Sequence, residues 1–337
     1  MKKKIVNAFK FLLFIGIGIF LLWKLYKDQS IDDLVEASKN LNYYWLILAA
    51  IISVGSHLVR AIRWELTLTS IEMKARRSNL FHAVMVGYLA NLAIPRLGEV
   101  VRAAVLRKYE KISFTGSFGT IISERIVDVI IMLSITVVVL FYNDNFFSKL
   151  LEDNPALADN LQNLFSIKNL IIVIALCIIS VIGYLILLKY SKRAQNFAKK
   201  VFDKITTLKN GLLSIFKLKH PALFIFYSLL IWFLYFASMC LTFKAFPFTG
   251  NVQFTVNQML VVFLIGSYGM LAPVQGGIGA YHFMIIAALT VYGIGGTDAR
   301  MFALIAHAVS MVVVIIVGFT SLVLLPISNR KGKAISN

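Results

Sequence analysis

Between Leu80 and Ile94 the chain is apolar for only about 15 residues, and a bilayer crossing takes roughly 20. The run ends at Pro95. Basic residues stand on both sides of it, with Lys74, Arg76 and Arg77 before it and Arg96, Arg102, Arg107, Lys108 and Lys111 after it. A segment whose two flanks belong on the same basic side enters a membrane and turns back. Backbone freed by Pro95 and Gly98 is tolerated at membrane depth only inside protein or against a wet cavity. Leu271–His282 has the same character later in the chain. There Phe254–Leu271 is an apolar half that stops at Pro273, Gly276, Gly277 and Gly279 follow, and Ala280–Val291 is a second apolar half.

Composition sets the solvent. Hydrophobic residues make up 59% of the 337 and charged residues only 15%, where soluble domains carry about 25% charged residues. Mean hydropathy is +0.79. The reading is an all-α polytopic membrane protein. Lys and Arg number 34 against 16 acidic residues, a net +18. These cations lie in loops between apolar runs and form no separate basic domain, so they fit the positive-inside rule and anionic lipid, not nucleic acid. Cys177 and Cys240 each sit within an apolar run and read as packing residues. No metal-ligand spacing occurs and no cofactor is expected.

Six full spans are expected: Ile5–Tyr26, Tyr43–Trp64, Ser113–Tyr142, Asn169–Leu188, Pro221–Phe243 and Ala299–Pro326. The M-K-K-K start, followed by an apolar run without a small-x-small cleavage pattern, reads as an uncleaved first span with a cytoplasmic N-terminus. Lys27–Asn42 carries a short helical-period stripe and reads as an outer amphipathic helix. Asn143–Lys168 reads as an outer loop. Lys189–His220 has nine Lys/Arg against one Asp and an apolar stripe from Phe197 to Ile215, the pattern of a basic helix on the cytoplasmic surface. The whole of 1–337 forms one transmembrane domain with two re-entrant hairpins. Units 43–142 and 221–326 each read span, hairpin, span, and they enter from opposite sides. That is a pseudo-inverted repeat, whose interrupted segments point to a transport site.

Three groups carry candidate chemistry. Arg96, Glu99 and Arg102 are spaced by three and share a face if a helix restarts near Arg96. Two guanidiniums and a carboxylate suit a lipid phosphate, or they are interfacial charges in water. Glu124, Arg125 and Asp128 lie about 15 Å into their span, counting from Phe114 at 1.5 Å per residue. Charges at that depth are expensive and mark a polar path, or a structural ion-pair network with Arg60 or Arg63. Gln275, Gly276, Gly277 and Gly279 make a turn whose N–H groups could hold an anion, or a tight hairpin packed through its glycines. His282 reads as polar lining or a proton carrier, and His57 and His307 as satisfied core histidines.

N-L-A-I-P-R-L-G-E-V-V-R at 91–102, S-E-R-I-V-D at 123–128, R-A-I-R-W at 60–64 and A-P-V-Q-G-G-I-G-A-Y-H at 272–282 together resemble the lysylphosphatidylglycerol synthase transmembrane-region family, the flippase-like membrane proteins. The resemblance covers nearly the whole chain and brings Asn91 into the candidate set. It implies a protein that moves a polar-headed lipid between leaflets. The lysyltransferase half of the better-understood relatives is not expected here, so aminoacylation is not carried over. The expectation is a non-enzymatic, flippase-like protein of the bacterial plasma membrane with both termini cytoplasmic. Its partners would be anionic or aminoacylated phospholipid or a lipid-linked head group, with an oligomer open. The alternative is a membrane-embedded enzyme or assembly factor in lipid modification or lipid-linked glycan synthesis.

Overall fold

The computed structural model describes residues 19–27, 30–143, 213–247 and 254–330, with 16, 146, 149 and 152 besides. The span at 169–188, most of the loop at 143–168, most of the basic segment at 189–220 and the start of the span at 5–26 lie outside the described residues. Residues 19–26 are helical. The helices that follow are α1 Ile31–Lys39, α2 Tyr43–Thr69, α3 Arg77–Ala93, α4 Leu97–Tyr109, α5 Phe114–Tyr142, α6 Pro221–Lys244, α7 Val256–Met270, α8 Ala280–Val291 and α9 Gly296–Arg330. Among the described residues, α2, α5, α6 and α9 are long and apolar enough to cross a membrane. The protein is an all-α polytopic membrane protein.

Local chemistry sets the helix starts. Ser30 caps α1 by accepting from Asp32 N–H, Asn42 caps α2 through Tyr44 N–H, and Ser113 caps α5 through Gly116 N–H. Thr255 and Gln258 form a reciprocal capping box on α7. Pro221 stands at the start of α6, where its missing N–H is not needed.

Both expected breaks are present, and each joins two helices that pack on one another, α3 with α4 and α7 with α8. At the first, Ile94 is extended (φ −135, ψ 124), as the residue before a proline prefers. Arg96 then takes a left-handed conformation (φ 61, ψ 11), and α4 begins at Leu97. At the second, the chain runs through a short 3-10 turn, Gln275–Gly277, with positive φ at Gly276, Gly277 and Gly279. These are angles that only glycine adopts freely.

Contacts between distant segments give the direction of each helix. Asn42 N–H donates to Ala245 O at 2.9 Å, Ser238 to Ala49 O at 3.0 Å, and Arg63 to Ser228 at 3.1 Å. Hence α2 and α6 are antiparallel, and the unit that starts with α6 enters from the end where α2 does not. The open end of the first hairpin gathers Asn79, Glu110 and Asn329. The open end of the second lies beside Asn143 and Asn257, whose amides exchange hydrogen bonds at 3.1 and 2.9 Å. Asn79 and Asn329 exchange amide bonds in the same way, both at 3.0 Å. Each reciprocal pair ties the first half of one hairpin to the last span of the other unit. The hairpins therefore open at opposite ends, and their turns meet between the units. A Cβ on Gly276 would stand 3.0 Å from Leu92 of α3.

The end holding Lys74, Arg76, Arg77, Arg107, Lys108 and Lys111 is strongly basic. Apolar side chains cover the outer wall, including Ile130 and Val137 on α5, Phe226 and Phe233 on α6, and Ile316 and Phe319 on α9, all well exposed. A membrane protein presents such a band to lipid.

Candidate functional site

Seven charged side chains from three helices meet within the interior. Arg60 and Arg63 come from α2, Glu99 and Arg102 from α4, and Glu124, Arg125 and Asp128 from α5. Helical spacing explains the assembly, since residues three or four apart share a face.

Asp128 is the hub. Its Oδ1 accepts from Arg63 Nη1 at 2.7 Å and its Oδ2 from Arg60 Nη1 at 3.1 Å. Arg125 Nη1 stands 3.6 Å from the same Oδ2. Glu124, wholly buried, lies between Arg102 (3.2 Å) and Arg63 Nε (3.6 Å, an ion pair beyond hydrogen-bonding distance). Arg125 Nε reaches Glu99 at 3.2 Å.

Aromatic groups enclose the cations. The Arg102 guanidinium lies 4.1 Å from the Trp64 ring centre, and Trp64 is held by an indole N–H bond to Thr120 at 3.0 Å. Arg60 stands 6.0 Å from the ring centres of both Tyr88 and Tyr235 and donates to the Tyr235 hydroxyl at 3.0 Å. Such contacts are strong where water is excluded.

A cavity of about 360 Å³ opens beside the cluster, within the size range of small-molecule sites. Arg60, Arg125 and Asp128 form its charged wall, and His57, Tyr88 and Tyr235 continue it. The remainder is largely apolar and includes Met132, Met239, Phe263 and Val314. His57 Nδ1 and Trp232 Nε1 are buried at this cavity without a hydrogen-bond partner among the described residues. A satisfied core histidine would not show this, so the sequence reading of His57 is corrected.

The structure separates the expected site residues into three sets. Glu99, Arg102, Glu124, Arg125 and Asp128 come together. Arg96 does not join them. Helix α4 begins one residue later than the spacing argument required, so Arg96 sits exposed at the turn and shares no helix face with Arg102. Asn91 has a local task, accepting the Gly98 N–H at 2.6 Å and bracing the hairpin.

The second turn forms its own cluster. His307 pairs with the Gly276 carbonyl at 2.7 Å. Gly279 N–H donates to His282 Nδ1 at 3.3 Å, so His282 caps α8. The two imidazole rings lie 4.8 Å apart. His307 lines the cavity, while His282 does not. Gln275 and Gly277 are buried within this turn. Among the described residues no group of three or more His, Cys, Asp or Glu is arranged to hold a metal ion.

Nothing in the sequence singles out Tyr88, Tyr235 or Trp232 as cavity residues. An aromatic residue inside an apolar run carries no mark that distinguishes a cavity wall from a lipid-facing one.

Relatives share this layout's length and class. A UPF0104 membrane protein of Methanocaldococcus jannaschii is 25% identical over 319 residues, covering 90% of this chain and 92% of that protein. A UPF0104 membrane protein of Pyrococcus horikoshii is 23% identical over 299 residues, covering 85% and 88%. No solved structure matches the chain. The sequence model of the lysylphosphatidylglycerol synthase TM region matches residues 9–318. The match spans both hairpins and every residue of the charged cluster, and the chain belongs to the lysylphosphatidylglycerol synthase TM region family of membrane proteins.

Proposed function

We propose that the protein is a flippase-like lipid translocator, passing the polar head group of a membrane lipid between leaflets through the space between its two units. One observation carries the reading. A charged cluster borders a cavity at the meeting of two re-entrant hairpins. Ionised groups inside a membrane are expensive and usually mark a substrate path, and interrupted helices in corresponding positions of opposed units mark a transport site. The basic end faces the cytoplasm in this reading, as the positive-inside rule requires.

The test is reconstitution of the full chain in vesicles carrying a fluorescent phospholipid, followed by quenching from outside. With the protein present the external quencher should remove the signal of both leaflets, and without it that of the outer leaflet alone. Ser267→Trp, which fills the cavity wall beside Phe263, should restore protection of the inner leaflet. Exchange no faster than in protein-free vesicles would sink the proposal. Chemical alteration of the lipid without exchange would assign the site to a membrane-embedded enzyme instead.

A further inference from the structure

The charged cluster contains one cation too many. Arg60, Arg63, Arg102 and Arg125 face Glu99, Glu124 and Asp128, so four positive charges meet three negative ones and leave +1. The excess has a position. Arg63 and Arg102 are occupied inside the protein, against Glu124, Asp128 and Trp64, and neither lines the cavity. Arg60 and Arg125 do line it. The carboxylates beside these two are Asp128, which Arg63 also claims, and Glu99, which holds Arg125 from behind. Arg60 is 3% exposed. Although Arg60, Arg63, Arg102 and Arg125 all keep guanidinium nitrogens without a hydrogen-bond partner among the described residues, only Arg60 and Arg125 border the cavity where a ligand could reach them. Arg125 is the most accessible of the seven, with 36% of its side chain exposed.

An uncompensated cation in a water-poor interior is costly unless a counter-charge joins it. We infer that the cavity binds a lipid head group of single net negative charge, a phosphodiester seated between Arg60 and Arg125, in preference to zwitterionic or cationic aminoacylated head groups. This rests on the lipid-translocator reading and narrows its substrate. Guanidinium pairs suit a phosphate because each offers two parallel N–H groups to two oxygens. Trp232 Nε1 and His57 Nδ1, buried and unpartnered, are placed to bond the hydroxyls of a polyol head group. The apolar remainder of the wall (Met132, Met239, Phe263, Val314) accommodates the glycerol backbone and chain roots, not a hydrated ion. An aminoacylated head would bring its ammonium against Arg60 and Arg125, a like-charge contact.

The test offers the purified full chain an equimolar mixture of phosphatidylglycerol, phosphatidylcholine and lysylated phosphatidylglycerol with identical chains. Retained lipid is measured by native mass spectrometry. Phosphatidylglycerol should exceed each of the others by roughly tenfold or more. Arg125→Gln, which lowers the site charge to zero, should shift retention toward phosphatidylcholine. Glu99→Gln, which raises it to +2, should shift retention toward doubly charged phosphatidic acid when that lipid is added to the mixture in equal amount. Equal retention of the three lipids, or preference for the lysylated one, overturns the inference, and the wild-type comparison decides this without any variant. Inorganic phosphate that displaces phosphatidylglycerol at equal concentration assigns the site to a free anion and overturns the lipid assignment. Leaflet exchange indifferent to head-group charge defeats the charge argument while leaving translocation standing. Selective retention with no exchange defeats translocation alone.

Discussion

Asp128 accepts from two arginines and neighbours a third, so it should be the costliest of the three carboxylates to neutralise by a single amide substitution. Removing one partner of a buried ion pair leaves the other desolvated and unmatched, at about 3–5 kcal/mol. Asp128→Asn keeps the shape and leaves Arg60 and Arg63 facing a neutral amide, so unfolding midpoints in detergent should fall by that order. Glu99→Gln releases a half-open pair that water can still solvate, at about 1 kcal/mol or less. Equal losses for the two variants would show that burial does not grade the cluster. Much of this cluster is legible in the sequence. Glu124 and Asp128 stand four apart within an apolar span, as do Arg60 and Arg63 at three, and a charge at that depth must have a partner. Arg60 and Arg63 are legible as partners, and the structure pairs both with Asp128. The pairs Arg102–Glu124 and Glu99–Arg125 are not, because tertiary packing alone brings α4 against α5. Arg96 shows the limit of spacing arguments. A helix restarting one residue later than expected removes it from the face it was assigned.

Each hairpin closes on glycines that admit the facing helix. In the first, a Cβ on Gly87 would stand 2.7 Å from Arg102 Cγ and 2.9 Å from Gly98 O, and a Cβ on Gly98 would press on Gly87 O. In the second, a Cβ on Gly269 would lie 2.7 Å from Tyr281 Cα, and one on Gly266 would lie 2.6 Å from Ile285 Cδ1. Close backbone approach through small residues is how helices associate in membranes. Gly269→Ala therefore meets backbone that cannot rotate away, and overpacking of that kind costs about 1–3 kcal/mol. Gly266→Ala meets the far end of a flexible isoleucine. Thermal midpoints should fall more for Gly269→Ala than for Gly266→Ala, and the reverse order would refute the packing argument. Gly98→Ala should have a second effect. It wedges α3 from α4 and pulls Arg102 off Trp64, whose fluorescence would change with the loss of its cation contact. The two hairpins were legible as elements because Pro95 and the Gly276–Gly279 run interrupt apolar segments too short to span. Their glycine seams were not, since a lone glycine in an apolar helix carries no sign of what approaches it.

At the level of the whole molecule, the antiparallel pairing of α2 with α6 and the two reciprocal asparagine pairs require the hairpins to open at opposite ends. That requirement can be read out chemically. Lys111 is exposed at the basic open end of the first hairpin, directly after α4, and Val256 is exposed at the start of α7, at the open end of the second. In a background with Cys177 and Cys240 replaced by serine, Lys111→Cys and Val256→Cys each place one thiol at one end. The orientation set by the basic loops assigns Lys111 to the cytoplasm. An impermeant maleimide added to intact cells should therefore label Val256→Cys and leave Lys111→Cys untouched until the membrane is permeabilised. Labelling of both from the same side would contradict the opposed entry of the two units, and with it the meeting of the two turns beside the cavity. Labelling with the sides exchanged would keep the architecture and reverse its orientation. The cavity would then lie between the same helices, with the basic end of the molecule turned outward against the positive-inside rule.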